Sequence, residues 1–226
     1  MKAQMGMMMT NVSGKLGGQV ATKGRNGLNI RTKVKPINRR TTSQVNQRSQ
    51  LATLSQAWKG LTAAQRAAWT ASALNFTHTN NFGQKYHPTG KNFYCEINNN
   101  LLEVGASTVS TPPLTTPPVG LTALTATSLT AAHVGATFAP TPQAAGMFIV
   151  WSATRGLSTG VSFVGKQYRQ ILVSAALAAS PQDLTAAYTT KFGAPVTGSQ
   201  VFIRGKVIDN VSGLPSIPLQ ASVIIT

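Results

Sequence analysis

The first 95 residues of this 226-residue chain contain no aspartate and no glutamate. They carry 14 lysines and arginines, and the first acidic residues are Glu96 and Glu103. Residues 106–226 are closer to balance, with six basic and two acidic residues. A solvated basic face explains most short charge runs, but a stretch this long and this lopsided needs counter-charge from elsewhere. We therefore expect the N-terminal half to bind nucleic acid or an acidic protein surface.

The composition excludes several classes of function. Apolar residues make up 42% of the chain, enough for a core, but only 11% of the residues are charged. Four acidic residues and three histidines leave little material for acid–base or metal chemistry, so we expect no enzyme activity, no cofactor and no metal site. Cys95 is the single cysteine, which rules out a disulfide framework. No apolar run approaches the ~20 residues that span a bilayer, so we expect no membrane partner.

Two motifs that suggest chemistry are incomplete. The segment from Gly160 to Gln167 nearly matches a phosphate-binding P-loop, but Gln167 stands where the motif needs a magnesium-binding Ser or Thr. His78, His87 and Cys95 are separated by nine and eight residues, a spacing that matches no usual zinc site. We interpret the first as a glycine-hinged loop and the histidines as polar loop residues.

Residues 1–39 are predicted to form a basic, glycine-rich arm with a β-hairpin. Asn26-Gly27 lies between alternating segments, the strongest short-range hairpin signal. In the second strand Arg31, Lys33 and Lys35 share one face, about 6.6 Å apart along the chain. Protective charges on an edge hairpin are the alternative interpretation. The basic residues predicted to bind the partner are Lys15, Lys23, Arg25, Arg31, Lys33, Lys35, Arg39, Arg40 and Arg48.

Residues 40–105 are predicted to be helical. A first helix, capped by Thr42 or Ser43, carries apolar residues on one stripe and ends at Lys59-Gly60. Thr62-Ala63-Ala64-Gln65 is a capping box that begins a second helix, and we expect Trp58 and Trp69 in the seam between the two. A third helix is predicted from Lys91 to Val104, with Phe93, Ile97 and Leu101 on one face.

The pattern changes after a Pro/Thr-rich linker, residues 106–119, that should be extended and semi-rigid. Residues 120–226 alternate with period two between turn residues, and Trp151 is the expected core aromatic. The pattern favours an antiparallel β-sandwich, so the fold class is a multidomain α+β protein. The predicted strands are Leu121–Ser128, Ala132–Phe138, Met147–Ala153, Tyr168–Ala175, Ala186–Phe192, Val201–Asp209 and Pro218–Ile225.

Two parts of the chain resemble known proteins. The end of the chain, Val201 to Asp209 followed by Ser212 to Ser216, resembles the last strands of a fibronectin type III-like or immunoglobulin-like sandwich. Residues 13–118 resemble a family of uncharacterised proteins of tailed phages and prophages, found near structural genes. The motifs that carry this second resemblance are Ser13-Gly14-Lys15-Leu16-Gly17-Gly18, the series Arg31, Pro36-Ile37-Asn38, Thr41, Gln44 and Arg48, then Leu54 to Thr62, Gln65 to Trp69, Gly90 to Phe93 and Asn98 to Leu102.

The resemblance to the phage family implies a setting rather than a chemistry. It implies a virion structural protein, made in the host cytoplasm. The layout of a basic anchor followed by a β-sandwich suits surface decoration, so we expect a capsid-associated position, as a minor capsid, cement or vertex protein. Its expected partners are other virion proteins, the major capsid protein foremost, with packaged DNA as a further candidate, and it would be present in many copies or as a homo-oligomer. A head–tail connector or tail protein is the alternative in this class, and a sequence-independent DNA-binding protein is the alternative from another class.

The change of composition across residues 106–119 predicts that the two halves differ in independent stability. We expect a fragment of residues 118–226 to fold alone with a cooperative, β-type melt. A fragment of residues 1–105 should remain poorly structured until its partner is added, because few acidic residues balance its charge. Limited proteolysis of the free protein checks this, and a stable 1–105 fragment with a digested C-terminal half would contradict the division.

Overall fold

The fold was analysed in a computed structural model that describes residues 13–24, 27–35, 37–80, 83–113, 116–128, 133–141, 143–165 and 167–226. Its described residues form four helices and four antiparallel sheets. The α+β class predicted from the sequence is confirmed. Among the described helices, none is both long enough and apolar enough to cross a membrane.

Helices and strands follow one another in three groups. The helices are α1 Thr42–Gly60, α2 Ala63–Ala73, α3 Gly90–Glu103 and α4 Thr185–Phe192. The strands are β1 Gly14–Leu16, β2 Gln19–Gly24, β3 Gly27–Thr32, β4 His78–Thr79, β5 Lys85–Tyr86, β6 Ala123–Thr127, β7 Gly135–Ala139, β8 Met147–Ala153, β9 Arg169–Val173, β10 Gln182–Asp183, β11 Gln200–Asp209 and β12 Leu219–Ile224. We call β1–β3 the N-terminal sheet and α1–α3 the helical unit.

The helical unit is organised around α3. Its residues Phe93, Ile97 and Leu101 are buried on one face, as their spacing predicts. The helix α2 begins at the predicted capping box, in which the side chains and backbone amides of Thr62 and Gln65 bond reciprocally. The helix α1 is capped by Thr41, one residue before the predicted caps.

Two tryptophans meet the same residue of α3. The ring centroid of Tyr94 lies 5.5 Å from that of Trp58 and 5.2 Å from that of Trp69. The closest packing of both α1 and α2 is therefore with α3, not with each other as the sequence suggested. The helix α3 has seven buried residues, against one in α1 and three in α2, so it is the surface against which the other two helices pack.

A second core lies between two sheets of residues 123–224. The strand orders are β10-β7-β6 and β12-β11-β8-β9, and both sheets are antiparallel. Side chains from both sheets share one buried cluster, in which Phe138 of β7 packs against Trp151 of β8 at 5.7 Å. Trp151 is fully buried, as predicted, and its indole nitrogen donates a hydrogen bond to Gln182.

One of the seven predicted strands is a helix. Residues 186–192 lie in α4, where Tyr188 and Phe192 are four residues apart on one face with rings 5.1 Å apart. The sequence was interpreted with period two although this spacing and the alanines favour a helix. The Asp183 carboxylate accepts a hydrogen bond from the Thr185 amide at the start of α4, and Thr185 lowers the pKa of Asp183.

The other six predicted strands correspond to observed ones, with ends that differ by up to three residues. The second begins at Gly135, and its predicted first residue, Ala132, lies outside the described residues. The short strand β10 pairs with β7 through Gln182 and Asp183 and corresponds to no predicted strand. A two-residue strand has no periodicity to detect.

The segment after α3 lies against the helical unit. The indole nitrogen of Trp69 donates to the carbonyl of Ser110, at 2.8 Å. The buried Asn98 side chain bonds both the amide and the carbonyl of Val109. Val109 and Ser110 of the predicted linker are therefore bonded to α3 and α2, through contacts that no sequence pattern predicts.

A loop between β11 and β12 joins the helical unit to the C-terminal sheets. Leu214, 1% exposed, is part of the same buried cluster as Trp69 and Leu101. Next to it, the carbonyl of Gly213 accepts a hydrogen bond from the buried Asn100 side chain at 3.0 Å. Lys206 of β11 forms an ion pair with Glu103 of α3 at 3.5 Å. We call residues 210–218 the docking loop.

The docking loop generates a first prediction about stability. Replacement of Leu214 by Ala should lower the free energy of unfolding by about 2–5 kcal/mol, because it empties a buried site in the helical core. Val211 lies in the same loop but is 75% exposed, so Val211→Ala should change it by no more than about 0.5 kcal/mol. Thermal and urea melts of the full chain measure both, and equal effects would show that Leu214 does not anchor the loop.

Gly213 of the docking loop and Gly198, which lies before β11, separate the effect of backbone strain from that of a steric clash. Gly213 and Gly198 both have a positive φ, of 67° and 80°, so an alanine is strained at either by about 1–2 kcal/mol. A Cβ at Gly213 would lie 2.7 Å from the carbonyl oxygen of Ile97, whereas nothing lies within 4 Å at Gly198. Gly213→Ala should therefore destabilise clearly more than Gly198→Ala, and equal melting temperatures would contradict the close contact.

Candidate functional site

The N-terminal sheet places basic side chains on one face. Antiparallel pairing aligns Lys15 of β1 with Val20 of β2, and Val20 with Arg31 of β3. Directly paired residues of neighbouring strands point to the same side, so these three form a row across the sheet. The pairing continues past β3, since the amide of Lys33 donates to the carbonyl of Gly18 at 2.8 Å.

A concavity of about 650 Å³ lies on this face. Lys15, Arg31, Lys33 and Lys35 surround it, and all four are exposed. Val20 and Val34 are the other residues that line it. We call these six residues the basic face.

The basic face has no counter-charge of its own. In the described part of the chain, ion pairs join His78 to Glu96, His133 to Asp183 and Lys206 to Glu103. None of them involves a cation of the basic face. Four positive charges around one concavity repel one another, so the arrangement costs stability unless an anion occupies it.

Four of the five other basic residues predicted to bind lie away from the basic face. Lys23 is three residues after Val20 in β2, and side chains alternate along a strand, so Lys23 lies on the opposite side of the N-terminal sheet. Arg25, like Asn26 of the predicted turn, lies outside the described residues. Arg39 and Arg40 precede α1, and Arg48 within α1 donates to the Asn38 side chain at 3.0 Å. The structure therefore unites four of the nine.

Sequence reasoning missed β1 and both valines of the basic face. The signal for β1 was the Gly17-Gly18 pair, which connects Leu16 to Gln19 in a two-residue turn with φ of 55° at Gly17. Val34 follows the end of β3 at Thr32, so strict alternation does not decide its position, and it lines the concavity beside Lys33 and Lys35.

The three residues considered as zinc ligands, His78, His87 and Cys95, do not form a metal site. His78 pairs with Glu96, and Nδ1 of His87 is 2.8 Å from the carbonyl oxygen of Phe76. Burial raises the pKa of the Cys95 thiol, which disfavours the reactive thiolate. Within the described ranges no three His, Cys, Asp or Glu side chains lie together as a metal site would require.

The P-loop-like segment also lacks the expected surroundings. A P-loop needs a helix directly after its lysine. Lys166 lies outside the described residues, and the next element after it is the strand β9.

Comparison of the chain with protein-family models gives no match, and comparison with curated protein sequences gives none either. The basic face must therefore be interpreted from its own geometry. A concave surface with four cations and two small apolar side chains suits an extended anion better than a small neutral ligand.

The mutual repulsion on the basic face makes a stability prediction. Arg31→Gln with Lys33→Gln reduces the repulsion between the cations and removes no ion pair. The double variant should therefore leave the melting temperature unchanged or raise it, and should increase the hydrogen-exchange protection of β2 and β3. Lys206→Gln is the matched control, and it should lower the melting temperature slightly since it removes the pairing with Glu103. A clear loss of protection in the double variant would mean that these cations stabilise the sheet internally.

Proposed function

We propose that this chain is a non-enzymatic structural protein of a tailed-phage virion, anchored through its basic N-terminal half. The part from residue 120 onward is then a fibronectin type III-like or immunoglobulin-like β-sandwich displayed by that anchor. Among virion positions we favour a capsid-associated one, as a minor capsid, cement or vertex protein. The resemblance of residues 13–118 to phage proteins supplies the setting for this proposal.

The observation that carries the proposal is the unneutralised basic face on a sheet with almost no core. Ala21 has the one buried side chain among the described residues of the N-terminal sheet, while Leu16 is 78% exposed. In the described chain its strands pack closely only with one another. Such a small sheet is marginal in water without a surface to cover it. An anchoring segment that completes its folding on an assembly has these properties.

Two features of the C-terminal part support its display as a sandwich. Both sheets contribute to one core, and the edge strands β6 and β12 lie beside each other, an arrangement typical of two aligned sheets packed face to face. The docking loop connects the sheets to the helical unit, so the anchor and the displayed part would move together.

Two alternatives remain candidates. A head–tail connector or tail protein would use the same anchor at another position in the particle. A free, sequence-independent DNA-binding protein would use the basic face without any particle. The second alternative is supported by the basic face, whose cations take part in none of the ion pairs among the described residues. It differs from the first because a free DNA-binding protein is not recovered in fixed copy number with purified particles.

A particle inventory tests the proposal. We expect mass spectrometry of purified particles to find the wild-type chain in a fixed ratio to the major capsid protein. Arg31→Gln, Lys33→Gln and Lys35→Gln together should reduce incorporation at least tenfold, because they remove three of the four cations of the basic face. The control carries Lys59→Gln, Arg66→Gln and Lys85→Gln, the same charge change on exposed residues of the helical region, and should be incorporated normally.

Recovery of the wild-type chain in the lysate but not in particles would contradict the proposal. Equal loss of incorporation in both triple variants would show that net charge matters and the basic face does not.

A further inference from the structure

We propose that the basic face is a binding site for the phosphate backbone of double-stranded nucleic acid, without preference for sequence. This inference rests on the proposed function, since it names the partner of the same face. Of the two negatively charged partners expected from the sequence, nucleic acid and an acidic protein surface, it selects nucleic acid.

The spacing of the cations suits a regular polyanion. Extended antiparallel backbone rises about 3.4 Å per residue, so Arg31 and Lys33 project about 6.8 Å apart. Successive phosphates of one DNA strand advance 3.4 Å along the axis and also wind around it, so they lie about 7 Å apart in space. Lys15 stands two strands from Arg31, about 10 Å away. The cations therefore flank the concavity from two sides, as a convex backbone passing through it requires.

The composition of the face favours phosphate over an acidic protein surface. Three of its four cations are lysines, which are depleted in protein–protein interfaces, where aromatic residues, methionine and arginine supply the anchors. Its apolar residues, Val20 and Val34, are too small for that role. Lysine is instead a compact point charge that binds phosphate without a fixed approach geometry.

The absence of aromatic residues favours a duplex over a single strand. Residues 1–57 contain no Phe, Tyr, Trp or His. Proteins that hold single strands stack the bases on aromatic side chains, and each stack contributes about 1–3 kcal/mol. The basic face has no such platform, so it recognises what a duplex presents outward. Phosphate contacts carry no base information, and binding should be insensitive to sequence.

A salt titration of the full chain on a random-sequence DNA duplex, followed by fluorescence anisotropy, tests the inference. Because each neutralised phosphate contributes about −0.9 to the slope of log K against log salt, four contacts give a slope of about −3.6. The triple variant Arg31→Gln, Lys33→Gln and Lys35→Gln should lose about 2.7 of this slope. The control triple variant at Lys59, Arg66 and Lys85 should keep the wild-type slope within one unit.

A charge-preserving variant is the control for misfolding. Arg31→Lys with Lys33→Arg and Lys35→Arg changes the same positions and should retain the wild-type slope. If it loses the slope as the glutamine variant does, the effect is structural and the inference is wrong. A matching single strand should bind more weakly than the duplex at every salt concentration, and equal or tighter binding would remove the duplex assignment.

Failure of this inference is distinguishable from failure of the proposed function. A slope near zero for the wild-type chain, with normal incorporation into particles, overturns the inference and leaves an acidic capsid surface as the partner. Duplex binding with the expected slope, but no recovery in particles, overturns the virion proposal and retains the site.

Discussion

The insertion of the docking loop into the helical core is the contact on which the arrangement of the molecule depends. Leu214 completes a cluster that α1, α2 and α3 only partly close, and Gly213 approaches Ile97 so closely that no larger residue fits without movement. The buried Asn100 side chain adds a directional hydrogen bond. Apolar burial supplies most of the energy here, while the glycine and the amide fix the register.

The concentration of basic residues in the N-terminal half is the second constraint on the structure. A helical core with few carboxylates gains little from ion pairs on its surface, and it relies on aromatic packing around Tyr94 instead. Among the described residues, the N-terminal sheet buries one side chain, that of Ala21, and the cations of its basic face take part in none of the ion pairs. Their mutual repulsion is therefore not offset within the described chain.

Prediction succeeded where one residue's neighbours along the chain decide the outcome. The capping box at Thr62, the i, i+4, i+8 face of α3 and the alternation of β8 are local patterns, and the structure has all three. It failed at α4, where the alanines and the i, i+4 spacing of Tyr188 and Phe192 favour a helix and the Tyr188 side chain is buried in the core. It did not separate the four cations of the basic face from the other basic residues predicted to bind, because strand ends and register depend on cross-strand pairing.

The sequence by itself determined the charge asymmetry and the positions of most helices and strands, since these follow from composition and local periodicity. Tertiary structure alone decided that Lys15 lies in one row with Arg31, that Lys23 faces the other way, and that Leu214 belongs to the helical core. Residues separated by 16 or by more than 100 positions meet only when non-local pairing and burial are satisfied together, and no local pattern encodes that choice.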